Sequence, residues 1–140
     1  MNALAAPQPL APLPRPQCPP GACVCDRDAL LQDPQADARV LLLTREEEKR
    51  LLQRLEQITS LADLRRLQDR MEQQLGIRLT IAPGPNEVRT LRGITILVHE
   101  QRGLCRKTRQ SIPAAIRQAL ERRPEISYEL LDEGGLFGAP

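Results

Sequence analysis

Residues 76–100 read GIRLTIAPGPNEVRTLRGITILVHE, and the spacing of apolar residues within them sets the fold class. Ile77, Leu79 and Ile81 alternate with Arg78, Thr80 and Ala82. Ile94, Ile96 and Val98 alternate with Thr95, Leu97 and His99. A period of two is the mark of a half-buried strand. Pro83, Gly84, Pro85 and Asn86 form turns. The stretch therefore predicts an antiparallel hairpin with a long, mobile loop over 83–93. Such loops commonly carry docking surfaces. Leu97 adds an apolar residue to the outer register, which predicts that the second strand is the better covered one.

Upstream of Gly76 the period is helical. Thr44-Arg-Glu-Glu47 fits a capping box, and Leu51, Leu52, Leu55 and Ile58 then share one face. Ser60 can cap a second helix, in which Leu61, Leu64, Leu67, Met71 and Leu75 recur every three or four residues. Gly76 is placed to end it. The pair predicts an α-hairpin. Its seven basic and seven acidic groups over 44–75 read as a solvated face.

Downstream, Ser111 is a candidate N-cap with Pro113 in the first turn. Ile112, Ala115, Ile116, Ala119 and Leu120 form a stripe, and Pro124 stops the helix. Ile126, Tyr128 and Leu130 alternate, so residues 126–131 read as a third strand. Segregated helices and strands predict an α+β fold with a small antiparallel sheet. The domain spans 44–131, with a C-terminal tail over 132–140.

Residues 1–17 are a Pro/Ala/Gln tail expected to be disordered. Residues 18–43 form a cysteine-containing segment. Its run Val40–Leu43 either packs against the following helix or forms a strand. The chain has 140 residues and almost no aromatics, so the core must be Leu, Ile, Val and Ala. No run approaches the ~20 apolar residues of a membrane span, and the N-terminus makes a poor signal peptide. These features predict a cytoplasmic protein, where thiols stay reduced and clustered cysteines point to metal or redox chemistry.

The cysteines carry the sharpest chemistry. Cys18, Cys23 and Cys25 lie in QCPPGACVCDRD, residues 17–28, with spacing C-x4-C-x-C; Cys105 stands far downstream. Four thiolates suit zinc or an iron–sulfur centre, because soft sulfur donates well to such metals. Gly21 permits a tight turn between them. His99 is an alternative fourth ligand. Asp26 and Asp28 more simply cap a short helix running through Leu31. A redox-labile thiol pair is a second reading, and packed inert thiols a third.

Residues 76–125 hold ten basic and four acidic groups, a local excess of +6. Arg102, Arg106, Lys107 and Arg109 form the densest part and could receive a phosphate or other anion. Nucleic acid is thus a possible partner, although neither strand offers an aromatic for base stacking. The chain lacks G-x-S-x-G, P-loop and G-x-G-x-x-G patterns and has one histidine, so no enzyme is expected. The leading expectation is a metal-binding accessory or regulatory protein that docks to another protein. The alternatives are a basic nucleic-acid binder and a thiol-redox sensor or electron carrier.

Overall fold

A computed structural model describes residues 14–19, 21, 23–83 and 93–133. The loop expected over 83–93 lies, from 84 to 92, outside the described residues, as do most of the N-terminal tail and residues 134–140. Among the described residues the order is α1 (Arg27–Gln32), a 3-10 turn (Arg39–Leu42), α2 (Arg45–Glu56), α3 (Leu61–Leu75), β1 (Leu79–Pro83), β2 (Ile94–Val98), α4 (Arg106–Arg122) and α5 (Pro124–Glu133). The fold is α+β, with one two-stranded antiparallel sheet.

The two helices form where their local signals place them, although α2 packs chiefly on α4, and α3 on the 3-10 turn and α5. Thr44 Oγ1 accepts from the Glu47 N–H, and Ser60 Oγ accepts from the Asp63 N–H. Each bond satisfies a donor that a helix start leaves open. Gly76 ends α3 in the left-handed region, at φ +70°, where only glycine is unstrained. Asp63 locks the connection between the two helices. Its buried carboxylate accepts from the Arg54 guanidinium and from the Thr59 N–H. The Arg54 hydrogen bond holds its carboxyl below the usual carboxylate range, against the opposing effect of burial.

β1 and β2 pair with Leu79 opposite Val98 and Ile81 opposite Ile96. These four side chains, Ile77 and Ile94 are buried. They meet Leu64, Ile112, Ile116, Ile126 and Leu130 in one apolar core, which also takes in Leu30, Val40, Leu41 and Leu43. The cysteine segment therefore contributes to the core. Of the run Val40–Leu43, the first three residues lie in the 3-10 turn, which packs against α3, and Leu43 follows it. The outer edge of β1 is capped from α3. Gln68 Nε2 donates to the Leu79 carbonyl, and Arg65 Nη2 to the Ile81 carbonyl. Arg65 also pairs with Glu133, which joins α3 to α5.

Three expectations are corrected. Leu97 is 51% exposed, because helices cover only the Leu79–Ile81 face of the sheet and Leu97 lies on the other. Residues 126–131 are helical. Ile126, Ser127, Leu130 and Leu131 are buried at helical spacing while Tyr128 points out. Pro124 ends one helix and opens the next, since its missing N–H is unused in a first turn. Finally, α4 starts five residues before Ser111. Thr108 is buried and its hydroxyl donates to Glu48 of α2, extending the inward stripe by a full turn. Ser111 Oγ instead donates back to the Lys107 carbonyl, and Pro113 lies inside the helix.

Candidate metal centre

The N-terminal segment folds back on itself before it reaches the domain. The Arg27 guanidinium donates to the Arg15 carbonyl, and Gln17 Nε2 donates to Asp28 Oδ2 at 2.9 Å. The Arg15 N–H donates to the Leu41 carbonyl at 2.7 Å, which pins the segment to the 3-10 turn. Between these ties, Gly21 reverses the chain at φ +76°, and Asp26 sits in the left-handed region at φ +59°, directly before α1. Asp tolerates that region better than most residues. The result is a loop carrying Cys18, Cys23 and Cys25 on one side.

The fourth thiol comes from the other end of the fold. Cys105 is the N-cap residue of α4. The loop before it is held at Gly103, whose N–H donates to the Cys25 carbonyl at 2.6 Å. Gly103 has φ +86°, and a Cβ there would meet Leu30 Cδ2 at 2.6 Å and Val40 Cγ1 at 2.8 Å. Only glycine lets this loop approach α1 closely enough to make that bond. Cys105 is thereby delivered beside a segment 87 residues earlier, with its Sγ 3.5 Å from that of Cys18. Cys18 and Cys25 sulfurs stand 4.0 Å apart, and all four sulfurs lie within 4.8 Å of one another. A group this close could hold a metal ion. A tetrahedral ion with sulfur ligands at about 2.3 Å separates its ligand atoms by roughly 3.8 Å. The Cys18 contacts to Cys105 and Cys25 straddle that spacing.

The surroundings act on the thiols in opposite directions. Backbone N–H groups of Cys25 and Arg106 face the Cys23 sulfur, and that of Arg27 faces Cys25. Burial alone would push the Cys23 thiol up, yet the Arg106 N–H and the neighbouring thiols outweigh it, and its pKa falls below the ordinary value. Burial raises Cys25 and raises Cys105 much further, the latter reinforced by its contact with Cys18. In the absence of a metal, Cys105 thus keeps its proton. The start of α4 adds the positive end of a 17-residue helix beside the sulfurs. Arg15 Nη2 donates to Cys25 Sγ at 3.2 Å.

The structure brings together Cys18, Cys23, Cys25 and Cys105. His99 is elsewhere, exposed at the end of β2, with Nε2 2.7 Å from Thr80 Oγ1. Two members of the basic cluster have acidic partners. Arg102 pairs with Asp33, and Arg109 pairs with Glu100. Arg106 and Lys107 occupy the first turn of α4. Asp26 and Asp28 start α1, as read from sequence, although Asp26 makes no side-chain cap.

Sequence reasoning passed over Arg15 and Gly103. Arg15 is a single charge in a proline-rich run, with only its position three residues before Cys18 as a signal. Gly103 reads as an ordinary turn glycine two residues before Cys105. No family model, no curated protein and no solved structure matches this chain.

Proposed function

We propose that the chain holds one zinc ion on Cys18, Cys23, Cys25 and Cys105, and that it is a non-enzymatic accessory or regulatory protein acting by docking to another protein. The observation that carries this reading is the convergence of four sulfurs within 4.8 Å. Zinc is favoured over an iron–sulfur cluster by that same closeness. Thiolates of a cluster ligate different irons and must stand further apart than ligands sharing one ion. Four protein ligands fill a tetrahedral shell and leave no position for substrate, which is the pattern of a structural zinc site. Such a site stitches the N-terminal segment to the start of α4.

Docking is supported by Val24. It lies between two of the four cysteines and is 95% exposed, so the loop presents an apolar side chain outward on a backbone that the metal would rigidify. No helix among the described residues is long and apolar enough to cross a membrane.

The test is elemental analysis of untagged, anaerobically purified protein, with a visible spectrum. The expected result is about one zinc per chain and no visible absorption. Protein carrying neither zinc nor iron would overturn the reading; iron with acid-labile sulfide would replace zinc by a cluster.

A further inference from the structure

We propose that Arg15 is the charge-compensating residue of the metal centre, a positioning residue that holds the thiolates in place around a divalent ion. This rests on the metal reading above. Four thiolates around a divalent ion leave two uncompensated negative charges, and the cysteines are only partly exposed to water. Backbone N–H groups supply partial charges; a full positive charge must come from a side chain. Among the described residues, Arg15 is the one whose side-chain cation donates to a sulfur, through the Nη2 bond to Cys25.

The second observation is an orphan. Arg15 Nε is the one buried side-chain nitrogen or oxygen among the described residues without a hydrogen-bond partner. A buried donor left unmade is costly, so its persistence calls for an acceptor that the neutral thiols do not provide. Thiolates drawn around a metal are stronger acceptors than thiols, and a guanidinium can offer two donors to such a cluster at once. The backbone of Arg15 is fixed independently, by the Leu41 carbonyl on one side and the Arg27 guanidinium on the other. Substituting the side chain leaves those ties in place. A consequence is selectivity for a divalent over a trivalent ion, since the trivalent centre carries one negative charge fewer for Arg15 to balance.

The experiment measures zinc affinity of the full chain by competition with a chromophoric chelator under anaerobic, reducing conditions. It compares the parent with Arg15→Met and Arg15→Lys and adds urea unfolding of each metal-free protein. Loss of a group that supports metal ligands typically weakens affinity ~10–100-fold, and that loss is expected for Arg15→Met. Arg15→Lys should recover most of it by restoring the charge, and metal-free unfolding midpoints should coincide. An Arg15→Met affinity within about twofold of the parent would overturn the assignment. So would a lysine variant no better than methionine, or a metal-free Arg15→Met protein with a markedly lower midpoint, which would mark a packing role. A parent chain that takes up no zinc removes the metal reading itself and this inference with it; a parent that binds beside an indifferent Arg15→Met removes this inference alone.

Discussion

Replacing Gly103 with alanine should loosen the cysteine cluster without touching a cysteine. The residue has φ +86°, and leaving glycine there costs about 1–2 kcal/mol from left-handed backbone strain. The new methyl would also stand 2.6 Å from Leu30 Cδ2 and 2.8 Å from Val40 Cγ1. Both neighbours are buried core side chains, so neither can swing into solvent. Overpacking of this kind costs ~1–3 kcal/mol. The two effects together amount to roughly 2–5 kcal/mol, a large share of the ~5–15 kcal/mol that holds a domain folded. Urea unfolding followed by circular dichroism should show a lower midpoint with the slope unchanged. The loop could relax instead by pulling away from α1, which breaks the 2.6 Å bond from Gly103 to the Cys25 carbonyl. Zinc affinity should therefore fall along with stability. A stability loss below about 0.5 kcal/mol, the range of an ordinary surface change, would refute the claim that this approach is sterically tight.

Asp63→Asn should destabilise the fold at the α2–α3 connection by about 1–3 kcal/mol, because it removes the charged acceptor of Arg54; thermal melts at neutral pH check this. The pKa of Asp63 is lowered on folding from its usual 3.8, so its contribution is complete above that value and fades as the pH falls through the folded pKa. The parent and variant melting curves should accordingly converge in acid, and a gap that persists at low pH would contradict the ion pair. Cys105→Ser should cost the site its link to α4 and weaken zinc binding more than His99→Ala, which should leave it unchanged; competition titrations compare the two. Zinc uptake should release protons, because ligation requires thiolates and burial keeps Cys25 and Cys105 protonated beforehand. Titration in weak buffer at pH 7 should register about two or more protons per ion, with affinity falling as the pH is lowered.

The parts of the fold that were legible in the sequence are those held by neighbours along the chain. Thr44, Ser60 and Gly76 act within one turn of their own helices, and the alternation around Leu79 and Ile96 is a property of five residues at a time. The errors occur where short patterns are ambiguous. Ile126, Tyr128 and Leu130 alternate, but the buried set includes Ser127, whose small polar side chain carries no apolar signal. Thr108 hid the first turn of α4 for the same reason. In the cysteine cluster, loop spacing grouped three ligands, and residue type offered Cys105 as the fourth with His99 as its alternative. The fourth position depends on α4 packing against the core and on a 2.6 Å approach at Gly103, and neither leaves a mark in the spacing of cysteines. Arg15 is harder still, because its role is visible only once its guanidinium is placed beside a sulfur.

X-ray absorption at the zinc edge of freshly purified protein tests the central claim most directly. The account predicts one zinc per chain surrounded by four sulfur atoms at about 2.3 Å, with no nitrogen or oxygen neighbour. A first shell containing nitrogen or oxygen, or a chain with four freely titratable thiols and no metal, would contradict it.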